Sequence, residues 1–134
     1  MASAESTPAL PNLWREGAVA GTIAGVINVL IWGAGNLAGV SYDLVIAGRV
    51  RPVLAFHPFA SSLVGALLAV ALLWLLIKLG RAGAWKYAVV AFALVSLAQP
   101  VMAAAAMSTA FTLGLMHVVV VAMLLTMVQV PPRD

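Results

Sequence analysis

An all-α integral membrane bundle of four spanning helices, with a short outer segment joining the first two, is the architecture this chain should adopt, on three grounds. Of its 134 residues, 64% are hydrophobic and only 8% charged, and the mean hydropathy is +1.11, far from the make-up of a water-soluble domain. The seven Lys and Arg and the four Asp and Glu fall in short clusters, leaving residues 17 to 42, 52 to 77 and 87 to 132 without a charge. A bilayer core takes about 20 apolar residues per helix, so the first two tracts hold one crossing each and the third, much the longest, holds two with a turn. Strands of about 10 residues with alternating polarity are absent, which excludes a transmembrane β-barrel.

Residues 1–16 are polar, lack a positive stretch and lead into an apolar run too long for a signal-peptide core, so the first helix reads as a retained anchor. That helix is expected over about 17–39, with Pro11 and Asn12 offering its start. Gly17, Gly21, Gly25, Asn28, Trp32, Gly35 and Gly39 recur in it at steps of three or four, forming one helical stripe. In lipid no hydrophobic effect presses helices together, so small residues that let backbones approach supply much of the association energy. The glycines Gly17, Gly21, Gly25, Gly35 and Gly39 are therefore the expected helix-packing residues, whether against the chain itself or against a partner.

The outer segment, about 40–57, is not polar filler. Tyr42, Leu44 and Ile46 alternate with Ser41, Asp43 and Val45, and Ala47-Gly48 offers a turn before Arg49, Val50, Arg51 and Pro52. Two forms stand open: a short hairpin capping the bundle, or a loop lying on the interface with its arginines at lipid headgroups. Arg49 and Arg51 could also receive a carboxylate or phosphate.

Pro58 opens the second helix, about 58–78, whose small residues Ser61, Gly65 and Ala69 form a weaker stripe; Gly80 and Gly83 mark the turn after it. The third helix, about 86–105, ends near Pro100. The fourth, about 108–129, carries a stripe of Ala106, Ala110 and Gly114 continuing to His117, and Pro131-Pro132 stops it before a tail at 131–134. One spanning domain of residues 17–130 follows.

Arg15, Lys78, Arg81, Lys86 and Arg133 fall on one side of the membrane and Arg49 and Arg51 on the other, so the positive-inside rule puts both termini in the cytoplasm. Trp14, Trp74, Trp85 and Tyr87 would then belt the inner interface, and Tyr42, Phe56, Phe59 and Phe111 the outer one. A pI near 10 could suggest nucleic acid, but the few basic residues flank apolar runs and no nucleic-acid partner is expected.

Polar groups inside a membrane are costly and mark candidate sites. Counting 1.5 Å per residue from the helix ends brings Asn28, Ser96, Gln99, Thr112 and His117 near mid-depth, where His117 bonding Asn28 or Gln99 would pin three helices together. Chemistry has little to stand on: no Asp or Glu lies inside a span, and no motif surrounds Ser96 or Ser108 to make a nucleophile of either with His117. The absence of cysteine removes thiolate metal sites and thiol redox chemistry. No catalytic residue, metal or cofactor is expected. Haem held by His57 and His117 would need rings facing each other at one depth, and their positions on the second and fourth helices differ in height.

The sequence resembles an uncharacterised family of small bacterial four-helix membrane proteins, of unknown function. The resemblance rests on the glycine-rich first helix ending in Ile27-Asn28-Val29-Leu30, the segment from Gly39-Val40, the basic turn Lys78 to Lys86, Ser96-Leu97-Ala98-Gln99-Pro100, and Leu115-Met116-His117 before a valine-rich end. It covers roughly residues 17–128 and implies topology, with no activity attached; the expected location is a bacterial cytoplasmic (inner) membrane. Small multidrug exporters share the length and helix count but need a membrane-embedded Glu where this chain has Asn28. Four-helix quinone and epoxide reductases need paired cysteines.

The leading expectation is a non-enzymatic structural or accessory subunit, packing on lipid, on other membrane subunits or on a second copy of itself. The second is a small-molecule binder or carrier built around Asn28, Gln99 and His117, which would require an open cavity lined by His117. The third is a haem-binding membrane protein.

Overall fold

The computed structural model describes residues 10–130. Of the expected terminal segments, residues 1–9 and 131–134, with Pro131, Pro132 and Arg133, lie outside the described residues.

Four helices carry the fold: α1 (Leu10–Leu37), α2 (Phe56–Lys78), α3 (Trp85–Ala103) and α4 (Met107–Met127). All four are long and apolar enough to cross a membrane, the make-up of a small multi-pass membrane protein. α1 begins ahead of the expected residue 17 because the end of an uncharged tract marks the edge of hydrocarbon, and Arg15 and Glu16 do not prevent a helix from running on past it. Glu16 has a structural task there: its Oε2 accepts the Gln129 N–H at 2.9 Å, tying the chain beyond α4 to the first turns of α1.

α1 ends in a Schellman motif. Gly39 takes φ +86°, the Gly39 N–H donates to the Asn36 carbonyl and the Val40 N–H to the Gly35 carbonyl, which satisfies two of the last free carbonyls. Gly39 is thus a helix terminator. The expectation that it packs a helix is corrected: a Cβ on it would meet nothing within 4 Å. α2 stops the same way at Gly80, through Gly80 N–H to Ile77 and Arg81 N–H to Leu76. A 3-10 turn, Ala82–Ala84, then leads into α3.

Between α1 and α2 the chain forms a hairpin, β1 (Asp43–Ile46) paired antiparallel with β2 (Arg49–Pro52). Of the two forms open for this segment, the hairpin is the one adopted. Its two-residue turn has positive φ at both Ala47 and Gly48, the type I′ geometry whose twist matches that of paired strands. Leu44 also bridges Ala104, and the Ala105 N–H donates to the Asp43 carbonyl, so the α3–α4 turn lies along β1.

α1 packs along α2 on one side and α4 on the other, and α3 rests on α4. In space the order is α2, α1, α4, α3. Gly17, Gly21 and Gly25 make the α1–α2 approach: a Cβ would collide with the Val70 side chain at Gly17, lie 2.8 Å from the Ala66 Cβ at Gly21, and 2.7 Å from the Phe59 ring at Gly25. Gly35 meets the Tyr42 hydroxyl instead of a helix. In α4 the covered residues are Thr109, Leu113, Met116 and Leu124, one position away from the expected Ala106–Ala110–Gly114 stripe.

Two apolar clusters close the two ends. At the end away from the hairpin, Leu13, Val70, Leu73, Trp85, Val89, Leu124 and Val128 pack together. At the hairpin end, Tyr42, Leu113 and Met116 pack with Ile31, Trp32, Leu44 and Val53. Trp85 and Tyr42 are therefore core residues, against the expectation that both sit in aromatic belts, whereas Trp14, Trp74, Tyr87, Phe56 and Phe111 are exposed. Phe59 packs on Gly25. Tyr42 is stacked on Trp32 at 5.9 Å, and the Trp32 indole N–H donates to the Val53 carbonyl at 2.8 Å, so the hairpin is locked onto α1. Between the two clusters α3 stands away from α2, and the bundle is not closed along that side.

Candidate functional site

The space between α2 and α3 is an open groove of about 930 Å³, floored by α4 and the Asn28 position of α1 and roofed by the hairpin. Its size is at the upper end of the range for sites that take small molecules. Polarity is graded along it. Arg51 and His57 lie at the hairpin end, followed by Ser61, Ser62, Asn28, Ser96, Gln99 and His117; the far half is Val64, Gly65, Leu68, Val89, Phe92, Val121 and Leu124.

Four of the five residues expected near mid-depth meet here: Asn28, Ser96, Gln99 and His117 all line the groove. Thr112 does not. Its hydroxyl donates to the Ser108 carbonyl at 2.7 Å. Arg51 lines the groove; Arg49, two residues nearer the hairpin tip, does not.

Asn28 is only 2% exposed. Its Nδ2 donates to the Ser62 hydroxyl at 2.9 Å and to the Met116 carbonyl at 3.1 Å, fastening α1 to both α2 and α4. The orientation of the amide follows from these partners. Ser62 spends its own proton on the Pro58 carbonyl and Met116 offers a carbonyl, so both need a donor. Asn28 thus bonds neither His117 nor Gln99, unlike the expected cluster; Ser62 is the partner that sequence reasoning missed. The adjacent pair Ser61-Ser62 in an otherwise apolar helix was the available signal.

The Asn28 Oδ1 is left buried without a partner. Trp85 Nε1 and Thr109 Oγ1 share that condition, but neither residue lines the groove. An unpaired buried acceptor costs about 1–3 kcal/mol and marks where a water or ligand donor would be taken up.

The two histidines present opposite chemistry. The His117 Nδ1 is 2.9 Å from the Leu113 carbonyl oxygen, which can only accept, so the neutral ring carries its proton on Nδ1 and keeps a lone pair on Nε2. The His57 Nδ1 accepts the Leu54 N–H at 2.8 Å, so its proton sits on Nε2. The groove therefore has a donor imidazole at its mouth and an acceptor imidazole farther in. Pro100, inside α3 and on the groove wall, has no N–H to give the Ser96 carbonyl four residues back, which leaves another acceptor unclaimed by the regular helical pattern. The helix runs past the proline to Ala103, close to the expected span of about 86–105.

Gly65 is the other unexpected feature. A Cβ there would meet nothing within 4 Å, so this glycine serves no close helix approach, and it faces open groove. Arg51 is the one charged residue among those lining the groove, and no carboxylate joins it.

No curated protein and no solved structure matches the chain. A family model does: the one described as a family of unknown function (DUF6069) matches residues 8–133, nearly the whole length and all four helices. The chain belongs to that family.

Proposed function

We propose that this protein holds an amphiphilic small molecule in the groove between α2 and α3 and does no chemistry on it. The observation that carries this reading is the grading of the groove, with hydrogen-bonding groups at the hairpin end and an apolar far half on three different helices. A molecule with a polar head and an apolar body is the complement of that wall, and membrane helices are where such molecules are available. The absence of any carboxylate among the lining residues leaves His57 and His117 as the titratable pair, which supports binding over catalysis.

The accessory-subunit reading is supported by α3, whose Leu94, Val95 and Met102 face outward uncovered. It loses the glycine stripe, because Gly17, Gly21 and Gly25 are spent on α2 within the chain. The protein acts in this reading as a multi-pass protein of the cytoplasmic membrane, with the hairpin outside and both termini inside; Arg15, Lys78, Arg81 and Lys86 at one end and only Arg49 and Arg51 at the other support that orientation.

The test is to purify the protein in mild detergent, extract it with organic solvent and identify what is released by mass spectrometry. One amphiphile per chain, depleted in Gly65→Phe, is the expected result. Equal extracts from both proteins would overturn the reading.

A further inference from the structure

We infer that the groove selects an acidic phospholipid, with its phosphate held by Arg51 and the His57 Nε2–H and its acyl chains lying along Gly65 and Phe92. The inference rests on the amphiphile-binding reading and names the class of occupant.

Charge is the first argument. Arg51 is the single charged side chain on the groove wall, and nothing acidic on that wall offsets it. His57, held by the Leu54 N–H in the tautomer that donates from Nε2, stands on the first turn of α2 and lines the same groove. The first turn of α2 holds no acidic residue that would offset this charge. Both donors line the hairpin end of the groove, where a lipid phosphate would enter from the leaflet on that side.

Room is the second argument. Below the polar residues the walls are Val64, Gly65, Leu68, Phe92 and Val121, and Gly65 leaves free the volume that any other side chain would fill.

Native mass spectrometry of the protein released from nanodiscs made of equal parts phosphatidylglycerol and phosphatidylcholine tests this. Wild type should retain phosphatidylglycerol about fivefold over phosphatidylcholine, the factor expected of one arginine near the membrane surface. Arg51→Gln should bring the ratio to parity while the number of retained lipids stays the same. Gly65→Phe and, from the opposite wall, Ala93→Phe should release both lipids; the pair guards against one variant failing to fold. Parity in wild type, with both lipids still lost from the filled-groove variants, would overturn the choice of an acidic lipid and leave amphiphile binding standing. Unchanged retention in both filled-groove variants would overturn the two together.

Discussion

Asn28 is the residue on which three helices depend. One side-chain amide donates to Ser62 and to the Met116 carbonyl, and Asn28→Ala removes both bonds and leaves the buried Ser62 oxygen without its donor. The expected loss is about 1–3 kcal/mol, read as a lower unfolding temperature in detergent. Asn28→Asp should not rescue it, because a carboxylate offers no donor to either partner. Tyr42 makes a second prediction at this scale. It is 1% exposed, and burial raises its phenol above the ordinary value of 10.0. A neutral phenol is therefore favoured in the folded state. The stability it contributes is whole below pH 10.0 and is lost as the pH rises through the raised folded value. Thermal unfolding of wild type should become more sensitive to pH above that point than unfolding of Tyr42→Phe; identical profiles would contradict the burial argument.

Among the helices, the glycines separate into roles that sequence alone does not distinguish. Gly21→Leu or Gly25→Leu must push α1 from α2, since the nearest atoms are already within 3 Å of a single added carbon, and a loss of about 1–3 kcal/mol or more is expected. Gly65→Ala should instead stabilise by about 0.5–1 kcal/mol, because the new methyl enters open space and the helix loses a flexible residue. Equal effects at Gly21 and Gly65 in a thermal melt would contradict this division. The four helices were legible because bilayer thickness and charge exclusion act on every residue of a span. Gly80 and Gly48 were legible as turn residues because positive φ narrows the choice of residue toward glycine. Gly39 and Gly65 were misread because spacing along a helix says which residues share a face, and nothing about what that face meets; Trp85 was misread because depth in the membrane says nothing about which way a ring points.

At the scale of the molecule the same limit explains the groove. Asn28, Ser96, Gln99 and His117 could be named from depth, but the gap between α2 and α3 arises from how the helices are arranged around α1 and α4, which one sequence does not encode in any local pattern. A chain without cysteine also makes its orientation simple to measure. Single cysteines at Ala47, on the hairpin tip, and at Ala82, in the turn before α3, should label oppositely with a membrane-impermeant maleimide on intact cells, Ala47→Cys reacting and Ala82→Cys staying protected. The reverse pattern would invert the topology and move the proposed headgroup site to the other leaflet. The most direct test of the account is an experimental structure of the protein in a lipid nanodisc. Elongated density between α2 and α3, reaching from Arg51 past His117 to Phe92, is the predicted result; α3 packed flush against α2, with no space at Gly65, would contradict it.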